Sequence, residues 1–258
     1  MKNKLLVILV VIIVMASAVL VSCSKPAAVS TSALKTLKPG ILTVGSDATY
    51  PPMEFKEGDT IVGFDLDITK AIAEKMGLKL EYINTAWDGM FPAVAAHKFD
   101  MVISSITITD DRKKEMDFSD PYYNANQSVI IKAGSGIDSA DKLNGKKIGV
   151  QIGTTSENEA KKITGSAVST YDDNVMAFED LKAGRVDAIM CDSPVGDYYT
   201  VKNAGYAIGF KINTNEFYGI GFAKDTPELV KAVNSALAAI KTDGTYDKIF
   251  KTWFGEPK

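Results

Sequence analysis

Histidine and cysteine are nearly missing from this chain. Its 258 residues include one histidine, His97, and two cysteines, Cys23 and Cys191. So few imidazoles and thiols leave no cluster with metal-ligand spacing and no His-activated nucleophile. No intrachain disulfide is expected, because Cys23 has a separate fate argued next. Blocks of basic residues are absent, which argues against nucleic acid as a partner. No low-complexity tract and no glycine-rich cofactor loop occurs, so disorder on a large scale and a bound cofactor are both unexpected. His97 lies in "AAHKFD", a stretch that reads as the end of a helix, where a cation suits the dipole.

What the chain does have is a strongly apolar start and an ordinary globular body. Lys2 and Lys4 precede "LLVILVVIIVMASAVLV", which ends at Ser22 and Cys23. A basic start, an apolar middle and small residues before a cut form a secretory signal over residues 1–22. Leu20, Val21, Ser22 and Cys23 resemble a lipobox, in which Cys23 is lipidated and becomes the mature N-terminus; the alternative is a plain membrane-spanning anchor. Residues 23–35, including "SKPAAVSTSALK", read as a tether. Removal of Lys2 and Lys4 from the 29 basic residues leaves 27 against 32 acidic ones, a body near −5. With 46% hydrophobic and 24% charged residues, that body is expected to fold.

Beyond the tether, β-rich runs alternate with helical patterns. "ILTV", "LKLEYI", "DMVIS", "KKIGVQI" and "VDAIMC" read as strands. "FDLDITKAIAEKMG" closes at Gly77 as a helix, followed later by "WDGMFPAVAAHK", "SENEAKKI", "VMAFEDLKAG", "TPELVKAVNSALAAIKTDG" and "TYDKIFKTWFG". Such alternation predicts an α/β fold with parallel sheets. Two segments are echoed in order. "GILTVGSDATY" at 40 matches "GKKIGVQIGTT" at 145, and "KFDMVISS" at 98 matches "RVDAIMCDS" at 185. Two lobes of like construction follow from the repeated order.

In open parallel sheets, ligands lie beyond the carboxyl ends of the strands. Strands here end in Asp47, in Ser105, in Gly153-Thr154-Thr155 and in Asp192, two ends in each expected lobe. Arg112 offers a planar fork that matches a carboxylate with two bonds. Ser105, Thr107 and Thr155 can add donors to the same anion, and Asp192 can accept from an ammonium. A carboxylate and an ammonium on one small molecule make a free amino acid. Each residue also has a plain structural alternative. Arg112 fits a surface helix in "DDRKKE", Asp192 a helix N-cap before "SPVGDYY", Thr107 and Thr109 an exposed strand face, and Tyr50 and Trp87 core packing.

Taken in order, "GSDATYPPMEF", "GFDLDITKAIAEKMG", "WDGMFPAV", "KFDMVISSITITDDRKKEMDFSDPYY", "GKKIGVQIGTTSE", "GRVDAIMCDSP" and "DGTYDKIFKTWFG" resemble the family-3 solute-binding proteins of ABC-type polar amino-acid importers. The likeness spans about residues 36–256. It implies a two-lobed, type II periplasmic-binding-protein-like fold, each lobe a mainly parallel sheet flanked by helices. Lobe 1 would hold residues 36–125 and 220–258, and lobe 2 residues 126–219, with extended crossovers near "NANQS" and "FYGIG". It also implies roles for single residues. Arg112, Thr107, Ser105 and Thr155 would hold the α-carboxylate, and Asp192 with the Ser105 carbonyl would hold the α-ammonium. Tyr50 and Trp87 would sandwich the ligand side chain, Asp47 would meet its polar tip, and Gln151 would line the pocket. Many relatives have "SGMTIT" where this chain has "SSITIT", which places Ser105 in a glycine's position.

Asp47 and two aromatic faces suit a cationic tip, and "DFSDPYYNANQS" resembles binders of basic amino acids. Arginine or lysine is therefore the expected ligand, with glutamine as the alternative. The expected partners are a free L-amino acid, an ABC permease and, through the lipid, the membrane; the expected protein is a monomeric, extracytoplasmic binder and not an enzyme. The competing reading is a small-carboxylate lyase or dehydratase on the same fold, with Asp47 or Asp192 as proton donor.

Overall fold

A computed structural model describes residues 34–255. The signal segment, the lipobox with Cys23 and nearly all of the tether therefore lie outside the described residues.

Strands β1 (Ile41–Ser46), β2 (Thr49–Tyr50), β3 (Glu54–Glu57) and β4 (Thr60–Val62) lead into helix α1 (Phe64–Met76) and strand β5 (Lys79–Asn84). Helix α2 (Trp87–Ala95), strand β6 (Met101–Val102), helix α3 (Asp110–Glu115) and strand β7 (Asp117–Phe118) follow. The long strand β8 (Tyr123–Lys132) then enters a second body: β9 (Lys147–Gln151), α4 (Thr155–Lys161), β10 (Ala167–Tyr171), α5 (Asn174–Ala183), β11 (Ala188–Asp192) and α6 (Ser193–Lys202). The chain returns along β12 (Tyr206–Tyr218) to β13 (Gly221–Phe222), α7 (Pro227–Thr242) and α8 (Thr245–Phe254).

Two five-stranded sheets result, ordered β5-β1-β6-β13-β7 and β10-β9-β11-β8-β12, with β2, β3 and β4 forming a small third sheet. In the first sheet β1 pairs parallel with β5 and β6; in the second β9 pairs parallel with β10 and β11. The internal echo thus has a structural meaning, since β1 and β9 hold the same second place and β6 and β11 the same central place. The remaining pairs are antiparallel. Among them the β8–β12 pair forms because both strands run between the bodies and pass each other in opposite directions.

Each sheet is covered on both faces. In the first body Leu42, Val44, Met101 and Phe222 pack with α1 and α7, while Trp87, Met90, Val94 and Val102 fill the opposite face. Helix α7 buries Leu229, Val233, Ala236, Leu237 and Ile240, the i, i+4, i+7 spacing of a one-sided helix. Phe64 is fully buried at the start of α1, and Tyr122, Tyr123, Tyr246, Phe250 and Phe254 lie around it. Burying one such ring contributes about 1.5–3 kcal/mol. In the second body Val129, Ile148, Val150 and Met190 pack on one face, and Ile130, Phe178, Leu181 and Ile189 on the other.

Local chemistry sets the ends of these elements. Helix α1 begins with Asp65 and Asp67 near its positive end and closes at Gly77 in the left-handed conformation expected from the sequence. Gly63, just before it, has φ 139° and lies so close to β3 that an added Cβ would sit 2.1 Å from the Met53 carbonyl oxygen. Helix α2 stops at Ala95, and His97 follows it at φ 55° with Nε2 3.2 Å from Asp225 Oδ1. Strand β6 is shorter than "DMVIS" suggests, because the chain turns at Ser104 and Ser105 into the site. No helix of the described residues is long and apolar enough to cross a membrane.

Candidate functional site

The carboxyl ends of β1, β6, β9 and β11 converge on one cavity between the two bodies. All nine residues singled out from the sequence line it: Asp47, Tyr50, Trp87, Ser105, Thr107 and Arg112 from the first body, and Gln151, Thr155 and Asp192 from the second. These side chains border about 330 Å³ of space, part of it open to solvent.

Arg112 is held by its own helix start. Thr109 Oγ1 accepts from the Arg112 amide at 3.2 Å and caps α3, so Thr109 is a capping residue and not part of an exposed strand. The guanidinium turns inward over the Trp87 and Phe91 rings, its Cζ 5.3 and 5.4 Å from their centroids. Arg112 Nη1 donates to the Thr107 carbonyl at 2.8 Å and Nη2 to the Gly153 carbonyl of the other body at 3.2 Å. Three of its five N–H groups have no other use in these contacts. Burial lowers its pKa, and Asp192 and Glu216 act against that shift, so the cation persists with two acids nearby.

Asp192 occupies the position before α6, yet its side chain makes no capping bond. It turns toward the cavity, where Oδ1 accepts from Gln127 Nε2 at 2.6 Å and Oδ2 from the Tyr218 hydroxyl at 2.5 Å. Its amide donates to the Tyr50 hydroxyl across the cleft at 3.1 Å. Burial first, then the Glu216 charge, pushes the Asp192 carboxyl up to about 6. An ammonium placed here would supply the missing positive charge.

Besides Glu54 Oε2, which faces Asp65, two polar atoms in this cavity are buried without a hydrogen-bond partner, Ser105 Oγ and Trp87 Nε1. Such orphans are uncommon and call for a cause. Both belong to residues expected at the ligand. Ser105 has φ 51°, a left-handed conformation that explains why glycine suits the position. Its amide is fixed by Asp65 Oδ2 at 2.8 Å. Trp87 is 7% exposed and meets Phe91 edge-on at 4.9 Å, so it serves the core and the cavity at once.

Asp47 and Gln151 close the cavity from opposite bodies. Gln151 Nε2 donates to Asp47 Oδ2 at 2.9 Å and to the Asp172 carbonyl at 3.0 Å, while Gln151 Oε1 accepts from Asn174 at 3.0 Å. Gln151 therefore braces Asp47. Thr49 Oγ1 donates to the other Asp47 oxygen at 3.0 Å. Burial raises the Asp47 carboxyl, and these two bonds partly offset it.

Thr107 and Thr155 were expected to offer hydroxyl or backbone N–H donors, and their hydroxyls turn elsewhere. Both donate to one oxygen of Glu216, at 2.7 and 2.6 Å, and so are occupied within the protein. What Thr155 leaves for a ligand is backbone. Thr154 Oγ1 caps the Glu157 amide, Glu157 Oε2 accepts from the Gly153 amide at 2.7 Å, and the first amides of α4 have no partner within the helix.

Sequence reasoning missed Glu54 and Ser104 in the lining and Glu216 and Gln127 behind it, and named Thr154 only as part of a strand end. Glu54 is fully buried and accepts from Ser104 Oγ at 2.8 Å; Ser104 Oγ in turn accepts from the Asp47 amide at 3.0 Å. Burial and the Asp65 charge hold Glu54 well above the usual carboxylate range, so it keeps its proton and shares it with Asp65. That sharing accounts for Glu54 Oε2 and Asp65 Oδ1, which have no other partner. With Glu54 neutral, the lining presents the charges of Asp47, Asp192 and Arg112, one negative charge in excess. Among the described residues no group of three or more His, Cys, Asp or Glu side chains is placed to hold a metal ion.

Two bodies joined by paired crossing strands, with ionic groups from both facing one cleft, define a small-solute-binding protein of the two-lobed periplasmic type. The chain belongs to the bacterial extracellular solute-binding proteins, family 3, which it matches over residues 42–256. It is 35% identical over 226 residues to the L-cystine-binding protein TcyJ of Escherichia coli, covering 86% of this chain and 85% of that one. It is 36% identical over 219 residues to the arginine-binding extracellular protein ArtP of Bacillus subtilis, covering 83% and 86%. An ancestral arginine-binding protein solved with arginine superposes with a TM-score of 0.80 at 46% identity, over 84% of this chain and 99% of that one. An ancestral arginine-binding protein solved with glutamine gives 0.81 at 46% identity, over 85% and 100%. These relatives are named as binding proteins, not as enzymes.

Proposed function

We propose that this protein captures a free L-amino acid by closing its two lobes and hands it to the permease of an ABC importer. The observation that carries the reading is the placement of Arg112 and Asp192. They come from different lobes, face one cavity, and offer a fork of donors and an acceptor to the two ends of a zwitterion. Arg112, with the amides of Thr107 and Thr155, takes the α-carboxylate; Asp192 and the Ser105 carbonyl take the α-ammonium. Tyr50 and Trp87 flank the side chain, whose tip reaches Asp47, with Gln151 beside it. Closure follows because only the closed state makes both sets of contacts.

Arginine or lysine is the favoured ligand. A neutral zwitterion leaves the excess negative charge of the cleft in place, whereas a cationic side chain at Asp47 cancels it. The arginine-binding relatives support this choice, and the glutamine complex of an ancestral arginine-binding protein keeps glutamine as the alternative. We also infer that residues 1–22 are a signal, that Cys23 carries a lipid, and that residues 23–35 tether a monomeric binder outside the cytoplasm. The lobes are assigned to residues 36–125 with 220–258, and to 126–219.

A thermal-shift screen against the twenty amino acids tests the reading, since a ligand at a thousand times its Kd adds about 4 kcal/mol to stability. A rise with arginine or lysine is expected. No rise with any amino acid defeats the assignment; a rise with glutamine alone reverses the ligand order. Loss of membrane association in Cys23→Ala cells tests the anchor.

A further inference from the structure

Strand β12 carries an irregularity where it passes β8. Ile212 pairs with Gln127 and Glu216 with Ala125, so three residues on β12 stand opposite Asn126 alone. Asn215, inside this bulge, has φ 49°, a conformation asparagine tolerates better than most residues. Two asparagines of β8 hold the bulge: Asn126 Oδ1 accepts from the Asn215 amide at 3.0 Å, and Asn124 Nδ2 donates to the Glu216 carbonyl at 2.9 Å. A bulge fixed on both sides re-aims the next side chain, and that side chain is Glu216.

Glu216 Oε2 accepts from Thr107 Oγ1 at 2.7 Å and from Thr155 Oγ1 at 2.6 Å, and Oε1 accepts from Gln127 Nε2 at 2.9 Å. Thr107 belongs to the first body and Thr155 opens a helix of the second. A single carboxylate oxygen therefore ties one lobe to the other at the crossing strands. Gln127, fully buried, passes the link on: its Nε2 reaches Asp192 Oδ1 at 2.6 Å, and its Oε1 accepts from Ser156 Oγ at 2.7 Å. Glu216 does not line the ligand cavity; it lies behind the two threonines.

We propose that Glu216 is a positioning residue, a hinge-borne latch that biases the ligand-free lobes toward closure and sets Thr107, Thr155 and Asp192 for binding. Bonds to a charged acceptor are about twice as strong as neutral ones, so a three-bond latch shifts the population of a hinge with small intrinsic preference. The threonine hydroxyls are spent on this link, which is why the carboxylate end of the ligand relies on Arg112 and backbone amides. The ligand part of the proposal rests on the amino-acid-binding reading; the closure part does not.

The test compares wild type, Glu216→Ala and Glu216→Gln by small-angle X-ray scattering without ligand and by calorimetry with L-arginine, with melting curves to verify folding. Glu216→Ala is expected to enlarge the ligand-free radius of gyration and to weaken L-arginine at least tenfold. Glu216→Gln keeps an acceptor oxygen for the threonines and should recover most of the closure. Thr155→Val, which removes one arm of the latch, should open the protein in the same direction even where the alanine variant folds poorly. A ligand-free wild type as open as the alanine variant overturns the latch. So does an unchanged radius in both Glu216→Ala and Thr155→Val. Failure of wild type to bind any amino acid sinks the functional reading instead, and the scattering comparison still decides the latch.

Discussion

The acid proposed for the ammonium end gives the sharpest prediction, because on that reading its protonation is coupled to binding. Asp192 titrates at about 6 in the closed, ligand-free protein, raised by burial and then by Glu216. Tyr50, Gln127 and Tyr218 hydrogen-bond it from three strands, and Arg112 is the cation that faces it. For the ligand-free fold the raised pKa makes the neutral carboxyl the favoured form. Its contribution to stability is full below the unfolded value of 3.8 and is lost as pH rises through about 6. Binding of an ammonium requires the ionised form and so expels a proton below that pH. The penalty factor is one plus ten raised to the pKa minus the pH, about 11 at pH 5 and close to 1 at pH 7.5. Affinity should therefore fall about tenfold, or ~1.4 kcal/mol, between those two values. Calorimetry at constant ionic strength reads it. Repeating pH 5 in buffers of different ionisation enthalpy should reveal release of nearly one proton per ligand. Asp192→Asn should weaken binding at pH 7.5 and flatten the slope; any slope it keeps belongs to Asp47, also raised by burial. A wild-type Kd constant from pH 5 to 8 with no proton release refutes the assigned role of Asp192.

Other outcomes follow from individual contacts. Arg112→Ala should weaken the amino acid by about 2–5 kcal/mol in calorimetry, because the buried carboxylate loses its charged partner; near wild-type affinity contradicts the clamp. Ser105→Gly should stabilise the ligand-free protein by about 1 kcal/mol in urea unfolding, since it removes both the positive-φ strain and an unpartnered hydroxyl. Gly63→Ala should cost more than about 3 kcal/mol, or prevent folding, with a Cβ forced against the Met53 carbonyl in a backbone conformation that side chains avoid.

Much of this was legible because the relevant signals are local. The α1 stop at Gly77 rests on left-handed chemistry that glycine alone supplies cheaply, and the α7 stripe has the spacing of a helix packed on one side. The paired echo was readable because β1–α–β and β9–α–β units share strand-end chemistry, and the sheet orders place them alike. The cavity residues at strand ends were found by that same rule. What stayed hidden depends on side-chain direction across long sequence separations. Glu54 lies 50 residues from Ser104, the side chain that pairs with it, and Glu216 lies 109 and 61 residues from the two threonines it binds. No periodicity marks either acid. The Thr107 and Thr155 hydroxyls looked free for the same reason, since their acceptor comes from a bulge that only the β8–β12 register reveals.

The buried acids also explain how the cleft can be poised. Asp47 and Asp192 face one Arg112, so closure without ligand brings excess negative charge into a site of low dielectric, and that opposes the closed state. Glu216 acts the other way by tying Thr107 to Thr155. Moving a hinge from one part in a hundred closed to ninety-nine takes about 5.5 kcal/mol of differential binding. A latch that supplies part of this lowers what the amino acid must provide, while the uncompensated acids keep the closed state dependent on an arriving positive charge. The two effects can be separated by pH. Asp192, pushed up to about 6, loses its charge on acidification, so a shift from pH 7.5 to 5 should compact the ligand-free wild type, and a protein that expands instead contradicts this balance.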